Sequence, residues 1–364
     1  MKGLYCGRRI SSYHLSGHDA MLSCFRQILA QPSIAIDLGT ANTRIYASQG
    51  ENFCEEPTLI RHIRQNQEIQ APDEYLTYIN NHLVSSPLRG GVIVDIHNAI
   101  TLLKPMLRRA RTGLRQPVSL ACAPTDTTER ERKLLTKAVL DAGASQVAII
   151  PEVWAAAVGA GIDVTLPSAQ MLIDIGEGVT DMAVIRDGRL VFATATRTAC
   201  SDLQKAVRTA IISRYKVCLT SAETERLTHE LAAENQNNTL ADRDIPVRGM
   251  DIIRRREVSI TVTSREIRNA MNPVLTKILK MIEAGLRKLP KNISCEIVES
   301  GICLTGGGSC IRGMDSLIAA STRLDVRVAQ DPMHSVINGA IQTLQYWRGK
   351  ENWWENIAWP SIPS

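Results

Sequence analysis

Two short segments carry residue types and spacing that suit phosphate chemistry. Asp37-Leu38-Gly39-Thr40 and Asp174-Ile175-Gly176-Glu177 share the order Asp, apolar residue, Gly, polar residue, and each follows an apolar run. Glycine lets the backbone approach a ligand closely, and consecutive N–H groups can cradle oxyanions. An Asp at a strand end can hold the water shell of Mg²⁺, which binds nucleotides through few carboxylates and keeps much of its hydration. One Asp-x-Gly alone marks an ordinary turn. Two copies, with a later Gly306-Gly307-Gly308 run after another apolar segment, point to a duplicated unit with its ligand in the cleft between the copies. Neither GxxxxGK[ST] nor GxGxxG occurs, so P-loop and dinucleotide-binding folds gain no support.

The elements that must position these residues alternate between strand and helix, an α/β order. Strands are expected at 33–40, 118–123, 147–150, 171–176 and 301–305. A hairpin is expected around Asp187-Gly188. Helices are expected after Pro124, with Asp126 or Thr125 as cap and Gly143 as stop, and over 154–161, 202–215 and 221–233. A long amphipathic helical region over 264–289 should be interrupted at Pro273, and 234–241 reads as a polar loop.

Composition narrows the class. The chain has 364 residues, 44% of them hydrophobic, which fits two domains better than one small core. Its 42 basic and 37 acidic side chains leave a net charge of +5, too mild for a dedicated nucleic-acid binder. No apolar run approaches the ~18 residues of a membrane span. Nine scattered Cys without a CxxC pair imply free thiols in a reducing compartment, and the first 20 residues lack the apolar core of a secretory signal.

On these residues the chain resembles MreB, the bacterial actin, within the superfamily of actins, sugar kinases and heat-shock chaperone ATPases. Asp37-Leu38-Gly39-Thr40-Ala41-Asn42-Thr43 matches the family's first phosphate loop. Asp174-Ile175-Gly176-Glu177-Gly178-Val179-Thr180 resembles the second, Glu152 with Ala155-Ala156-Ala157-Val158-Gly159 the connecting helix, and Leu304-Thr305-Gly306-Gly307-Gly308 the adenosine motif. The resemblance runs from about Met21 to Gln342. It implies an actin-like (ribonuclease H-like) duplicated two-lobe fold with ATP and Mg²⁺ in the cleft. The first lobe would span 21–164 with 330–350, carrying an insertion at about 54–94. The second would span 165–329, with an insertion at about 206–263. Residues 1–20 form an extension and 351–364 a tail.

The resemblance also implies roles. Gly39, Thr40, Ala41 and Asn42 wrap the phosphates from one side, and Gly176, Glu177, Gly178 and Val179 occupy the opposite loop. Asp37 and Asp174 sit beside Mg²⁺, and Glu152 orients or deprotonates the attacking water. Glu225 and Thr228 stand in the family's Glu-Arg-x-Lys ribose segment, with Thr for Lys. Gly306, Gly307 and Gly308 let the chain pass under the nucleoside. Glu177 and Val179 depart from the family's Gly-Gly-Gly-Thr-Thr: a carboxylate there would repel a triphosphate, and Val179 lacks a hydroxyl for the lytic water.

Beyond the cleft, Met21, Leu22, Phe25, Ile28 and Leu29 fall on one helical face, a candidate membrane anchor where Met21 is itself a possible start. Lys104, Arg108, Arg109, Arg111 and Arg115 form a basic stretch that would face anionic lipid or plain solvent. Trp347, Trp353, Trp354 and Trp359 gather in the tail with no assigned role. The family reading is a cytoplasmic, self-polymerising filament at the inner face of the membrane, guiding cell-wall elongation proteins and rod shape with slow ATP hydrolysis. Its rivals are a nucleotide-binding scaffold with little hydrolysis and a small-molecule kinase of the same superfamily.

Overall fold

The computed structural model describes residues 32–48, 51–62, 76–79, 82–110, 115–229 and 242–346. The expected helix over 21–29, the loop at 234–241 and the Trp-rich tail lie outside the described residues.

The chain opens with three apolar, turn-bounded segments that make a meander: β1 (Ser33–Leu38), β2 (Asn42–Ala47) and β3 (Asn52–Pro57). Short strands follow as β4 (Ile60–His62), β5 (Leu76–Ile79), β6 (His82–Ser85), β7 (Leu88–Arg89) and β8 (Val92–Ile93). Then come α1 (Ile96–Ala110), β9 (Val118–Ala123), α2 (Glu129–Asp141), β10 (Gln146–Pro151) and α3 (Glu152–Gly159). The first lobe's sheet has the order β10-β9-β1-β2-β3, with β1, β9 and β10 parallel and β2 and β3 antiparallel.

The second lobe repeats this plan. Its meander is β11 (Gln170–Ile175), β12 (Thr180–Arg186) and β13 (Arg189–Thr196). Asp187 and Gly188, both at positive φ, make the expected hairpin turn. Then follow α4 (Cys200–Tyr215), β14 (Val217–Cys218), α5 (Ser221–His229), β15 (Asp244–Asp251), β16 (Arg256–Thr263), α6 (Ser264–Lys288), α7 (Lys291–Ser300), β17 (Ile302–Thr305), α8 (Met314–Thr322), β18 (Val326–Val328) and α9 (Ser335–Tyr346). The sheet order is β13-β12-β11-β17-β18, again a three-strand meander extended by two parallel strands. The repeat read from two Asp-x-Gly segments is thus a repeat of whole sheets, and each segment closes the first strand of its copy.

Strand alternation decides where those aspartates point. Ile34, Ile36 and Leu38 of β1 pack outward under α1 and α2, while Ala35 joins a central core with α3 and α9. In β11, Met171, Ile173 and Ile175 pack outward and Leu172 joins the same central core. With a period of two, Asp37 follows Ala35 and Asp174 follows Leu172. Both carboxyls therefore lie on the inner faces, toward the other lobe.

The central core depends on closeness of α3 and α9. A Cβ added at Gly339 would overlap the Ala155 carbonyl oxygen, and one at Gly159 the Ser335 carbonyl oxygen. The small residues of α3 therefore let two helix backbones touch.

Two sequence expectations change. The cap of α2 is Thr128, whose hydroxyl accepts from Glu131 N–H while Glu131 accepts from Thr128 N–H; Asp126 pairs with Arg197 instead. Pro273 does not interrupt α6, which runs unbroken for 25 residues. Pro273 is exposed, and the stripe Ile267, Met271, Leu275, Ile278 and Ile282 is buried on both sides of it. That tertiary packing offsets the loss of one backbone hydrogen bond. The basic stretch is the outer side of α1: Lys104 and Arg108 are exposed, Arg109 pairs with Glu56 of β3 at 2.8 Å, and Arg111 lies outside the described residues. Among the described residues no helix is long and apolar enough to cross a membrane.

Candidate functional site

The turn after β1 is braced from below. Thr58 donates its hydroxyl to the Gly39 carbonyl at 2.7 Å, and its N–H to the Ala41 carbonyl at 2.8 Å. The turn after β11 is closed by Gly176 N–H to the Val179 carbonyl at 2.9 Å. The start of α4 holds its outer side, with Cys200 N–H on the Gly176 carbonyl and Ser201 N–H on that of Glu177.

These two turns face each other. Thr40 Oγ1 accepts from Gly91 N–H at 3.0 Å, and a Cβ on Gly178 would lie 2.6 Å from that same oxygen. Only glycine at 178 lets the loops approach this closely. The open cleft they border is lined by Asp37, Gly39, Thr40, Ala41, Asn42, Glu152, Asp174, Gly176, Glu177, Gly178, Val179, Glu225, Thr228, Gly306 and Gly307. Gly308 does not line it. A Cβ there would meet the Ile175 side chain and Cys200 sulfur, so Gly308 packs beneath the second loop. Gly306, at φ +79°, needs its glycine because a Cβ would strike the Ile175 carbonyl and Asp174 Oδ1. Met21, Leu22, Phe25, Ile28 and Leu29 lie outside the described residues.

The electrostatics of the cleft are unusual for their imbalance. Asp37, Glu152, Asp174, Glu177 and Glu225 line it, and among the described lining residues the single Arg or Lys is Arg44. Glu152, the first residue of α3, has its carboxyl raised well above the usual range by burial, then by Asp181, Asp37 and Asp174. Asp174 is pushed to about 6, by burial first, although Thr305 donates to it at 2.7 Å. A carboxyl such as Glu152, whose hold on protons is strengthened by burial and by neighbouring carboxyls, is suited to proton transfer. Glu177 is pushed to about 7 by burial, then by Glu225 and Asp202. Its acidic neighbours lie on α4 and α5, not on the strand ends that carry Asp37 and Asp174. Thr228 donates its hydroxyl to the Thr224 carbonyl within its own helix.

The residues present fit a magnesium–nucleotide complex. Among the described residues no three metal-ligating side chains cluster. Two buried aspartates on facing strand ends nevertheless suit an ion that takes most of its ligands from phosphate and water.

Sequence reading missed Arg44, Gly91, Asp181 and Arg197. Arg44 lies directly across from Asp37 in the β1–β2 register, and Asp181 directly across from Asp174 in β11–β12. Carrying the internal repeat seven residues past each Asp would have found both. Asp181 accepts Thr125 N–H at 3.0 Å from the other lobe. Beside it Arg197 pairs with Asp126 at 3.1 Å and donates to the Gly90 carbonyl at 2.8 Å. These bonds tie the lobes on one side of the cleft.

Asp181 carries a pH prediction. Burial pushes its carboxyl to about 7 from an ordinary 3.8, so the folded protein holds this proton more tightly than the unfolded chain. The contribution to stability is full below pH about 4 and is lost as pH rises to about 7. At about 1.4 kcal/mol per pH unit, this group alone should cost on the order of 2 kcal/mol between pH 5.5 and 7. Denaturant titrations should show that fall, and Asp181→Asn, whose Oδ1 still accepts from Thr125, should make it shallower by about that amount. A wild-type curve that rises over this interval would contradict the assignment.

A family model described as MreB/Mbl protein matches residues 31–352. The chain belongs to the MreB/Mbl family. It is 30% identical over 338 residues to the cell shape-determining protein MreB of Escherichia coli (strain K12), covering 89% of this chain and 96% of that protein. It is 29% identical over 313 residues to the cell shape-determining protein Mbl of Bacillus subtilis (strain 168), covering 84% and 93%. Its fold matches the crystal structure of MreB5 of Spiroplasma citri bound to AMPPNP, with a TM-score of 0.77, 28% identity, and coverage of 88% and 97%. A MamK double helical filament matches at TM-score 0.69 and 16% identity, over 87% and 99%, which speaks to the fold alone. The fold of this MreB/Mbl chain is therefore actin-like, with two sheet-containing lobes.

Proposed function

We propose that this MreB-family protein binds ATP with Mg²⁺ in the cleft and forms filaments on the inner face of the cytoplasmic membrane, where they guide cell-wall elongation proteins and cell shape. The observation that carries this reading is the pair of Gly-containing turns, Gly39–Asn42 and Gly176–Val179, facing one another over Asp37, Asp174 and Glu152. The AMPPNP and ADP bound to MreB5 support it. On this reading the lobes divide as 21–164 with 330–350 and 165–329. Asp37 and Asp174 hold Mg²⁺, which would supply charge neutralisation for the phosphates. Backbone N–H groups of both turns orient the phosphates, and Glu152 holds the proton taken from attacking water. Glu225 and Gly306–Gly307 border the nucleoside.

A scaffold with little hydrolysis is the second reading, favoured by Val179. Its side chain is nearly buried, and a Cβ on Gly91 would meet it at 2.9 Å. It fills the loop contact with methyl groups and offers no donor to water. Phosphate release measured beside sedimentation separates the readings. A filament-forming ATPase pellets with MgATP and releases phosphate; a scaffold pellets without release. Phosphorylation of an added sugar with no pelleting would favour a kinase and overturn the proposal. Glu177→Gly with Val179→Thr should raise single-turnover hydrolysis about tenfold, roughly 1.4 kcal/mol of barrier. Equal rates would show that these positions do not limit turnover.

The membrane part of the proposal rests on Met21, Leu22, Phe25, Ile28 and Leu29. Burying that face in a bilayer at ~25 cal/mol per Å² contributes several kcal/mol. Leu22→Asp with Phe25→Asp should release the protein from anionic vesicles in a pelleting assay. Unchanged pelleting would move the contact to another surface, such as the β15–β16 turn, where exposed Ile252 and Ile253 adjoin Arg254, Arg255 and Arg256.

A further inference from the structure

The repeated sheets differ at the residue paired across the strands with each cleft aspartate. Seven residues after the first Asp the chain places Arg44; seven after the second it places Asp181. The direct cross-strand partner of Asp37 is thus a guanidinium, and that of Asp174 a carboxyl. Arg44 is nearly buried and is held on both sides within one row of the sheet. Its Nη1 lies 3.3 Å from Asp37 Oδ2, and its Nε donates to Glu55 Oε1 at 2.9 Å. Glu55 in turn faces His334 at 3.6 Å, and His334 meets Asp331 at 2.8 Å. Arg44 also lines the cleft between the two phosphate-facing turns.

A fixed cation here changes how a nucleotide is bound. Five carboxyl side chains line the cleft and a triphosphate adds more negative charge. Without Arg44, divalent metal would carry the whole neutralisation. With it, part is supplied by the chain, and the carboxyl that a hydrated Mg²⁺ would use is already paired. A guanidinium suits phosphate oxygens as well as carboxylates, so it can turn from Asp37 toward a bound nucleotide. Its positive charge opposes the effect of burial at both Asp37 and Asp174, so it reaches both metal-facing groups.

We propose that Arg44 is a built-in counter-cation that shares Asp37 with the divalent metal, so that this cleft binds nucleotide with weak dependence on Mg²⁺. The proposal rests on the reading of the cleft as a nucleotide site, and the experiment separates the two. Binding of a fluorescent ATP analogue is measured by anisotropy on the full chain, in excess Mg²⁺ and in EDTA. The wild-type protein should bind in both, with Kd values within about tenfold. Arg44→Met should raise the ratio of the EDTA Kd to the Mg²⁺ Kd at least tenfold, or about 1.4 kcal/mol. Arg44→Lys, which keeps the charge, should stay near wild type. If Arg44→Met fails to fold, Glu55→Gln carries the test. It loosens the other hold on the guanidinium, so metal-free binding should tighten several-fold and the Mg²⁺ midpoint rise. A ratio unchanged within twofold in Arg44→Met, an unchanged metal-free Kd in Glu55→Gln, or wild-type binding abolished by EDTA would each overturn the role of Arg44. Absence of binding under both conditions would overturn the nucleotide reading itself.

Discussion

Asp174→Ala is expected to weaken ATP binding in Mg²⁺ up to about tenfold, close to 1.4 kcal/mol, which removes most of the gain that the metal provides. Asp174 closes the first strand of the second lobe, faces the other lobe, and already accepts a hydrogen bond from Thr305. Removing its carboxyl takes away one of the two groups proposed to hold the metal's water shell. It also strands the Thr305 hydroxyl in a buried position, so thermal melting must accompany the titration. Asp174→Asn is the gentler probe: it keeps the acceptor for Thr305 and loses only the charge. Binding titrations with and without Mg²⁺ read both effects. Unchanged affinity and unchanged metal dependence in a folded Asp174→Ala protein would refute the two-turn reading of the cleft.

Gly339→Val should abolish the fold. Its added carbons would have to occupy the space of the Ala155 carbonyl, which is backbone inside α3 and cannot swing away. The reciprocal contact of Gly159 with Ser335 blocks a slide along the helix pair. Overpacking of a rigid core commonly costs 1–3 kcal/mol, and a clash with backbone exceeds that range, on the order of 4 kcal/mol or more. The damage would reach the cleft because α3 begins at Glu152. Expression as insoluble or molten protein is the expected outcome, read by solubility and by loss of a cooperative melt. Gly307→Ala is the matching control, since nothing lies within 4 Å of a Cβ there. A Gly339→Val protein that melts like wild type would mean that α3 and α9 do not pack backbone to backbone.

Much of the cleft was legible because its signals are local. Asp37-Leu38-Gly39 and Asp174-Ile175-Gly176 state in a few residues that a strand ends, that a turn follows, and that a carboxyl sits at the junction. Strand periodicity then assigns each Asp to the face of Ala35 or Leu172. The family resemblance placed Glu152 and Gly306, and both line the cleft. These features arise from short-range sterics and from a period of two, which the chain carries wherever it folds.

The sequence by itself determined the α/β order, the duplicated turns, the hairpin at Asp187-Gly188 and the small-residue character of α3. Only the tertiary structure decided what each charged group meets. Asp181 finds Thr125 across the lobes, Thr305 reaches Asp174 over 131 positions, and Glu177 faces Glu225 and Asp202. Such contacts depend on how two sheets and the helices between them pack, and no local pattern encodes that distance. The same holds for α6, where burial on both sides of Pro273 outweighed its breaking tendency. It holds again for the start of α2, where Thr128 takes the cap and Asp126 pairs with Arg197 of the other lobe. Backbone periodicity is a property of neighbours in the chain. The charge state of a buried carboxyl is a property of neighbours in space, and folding alone supplies those.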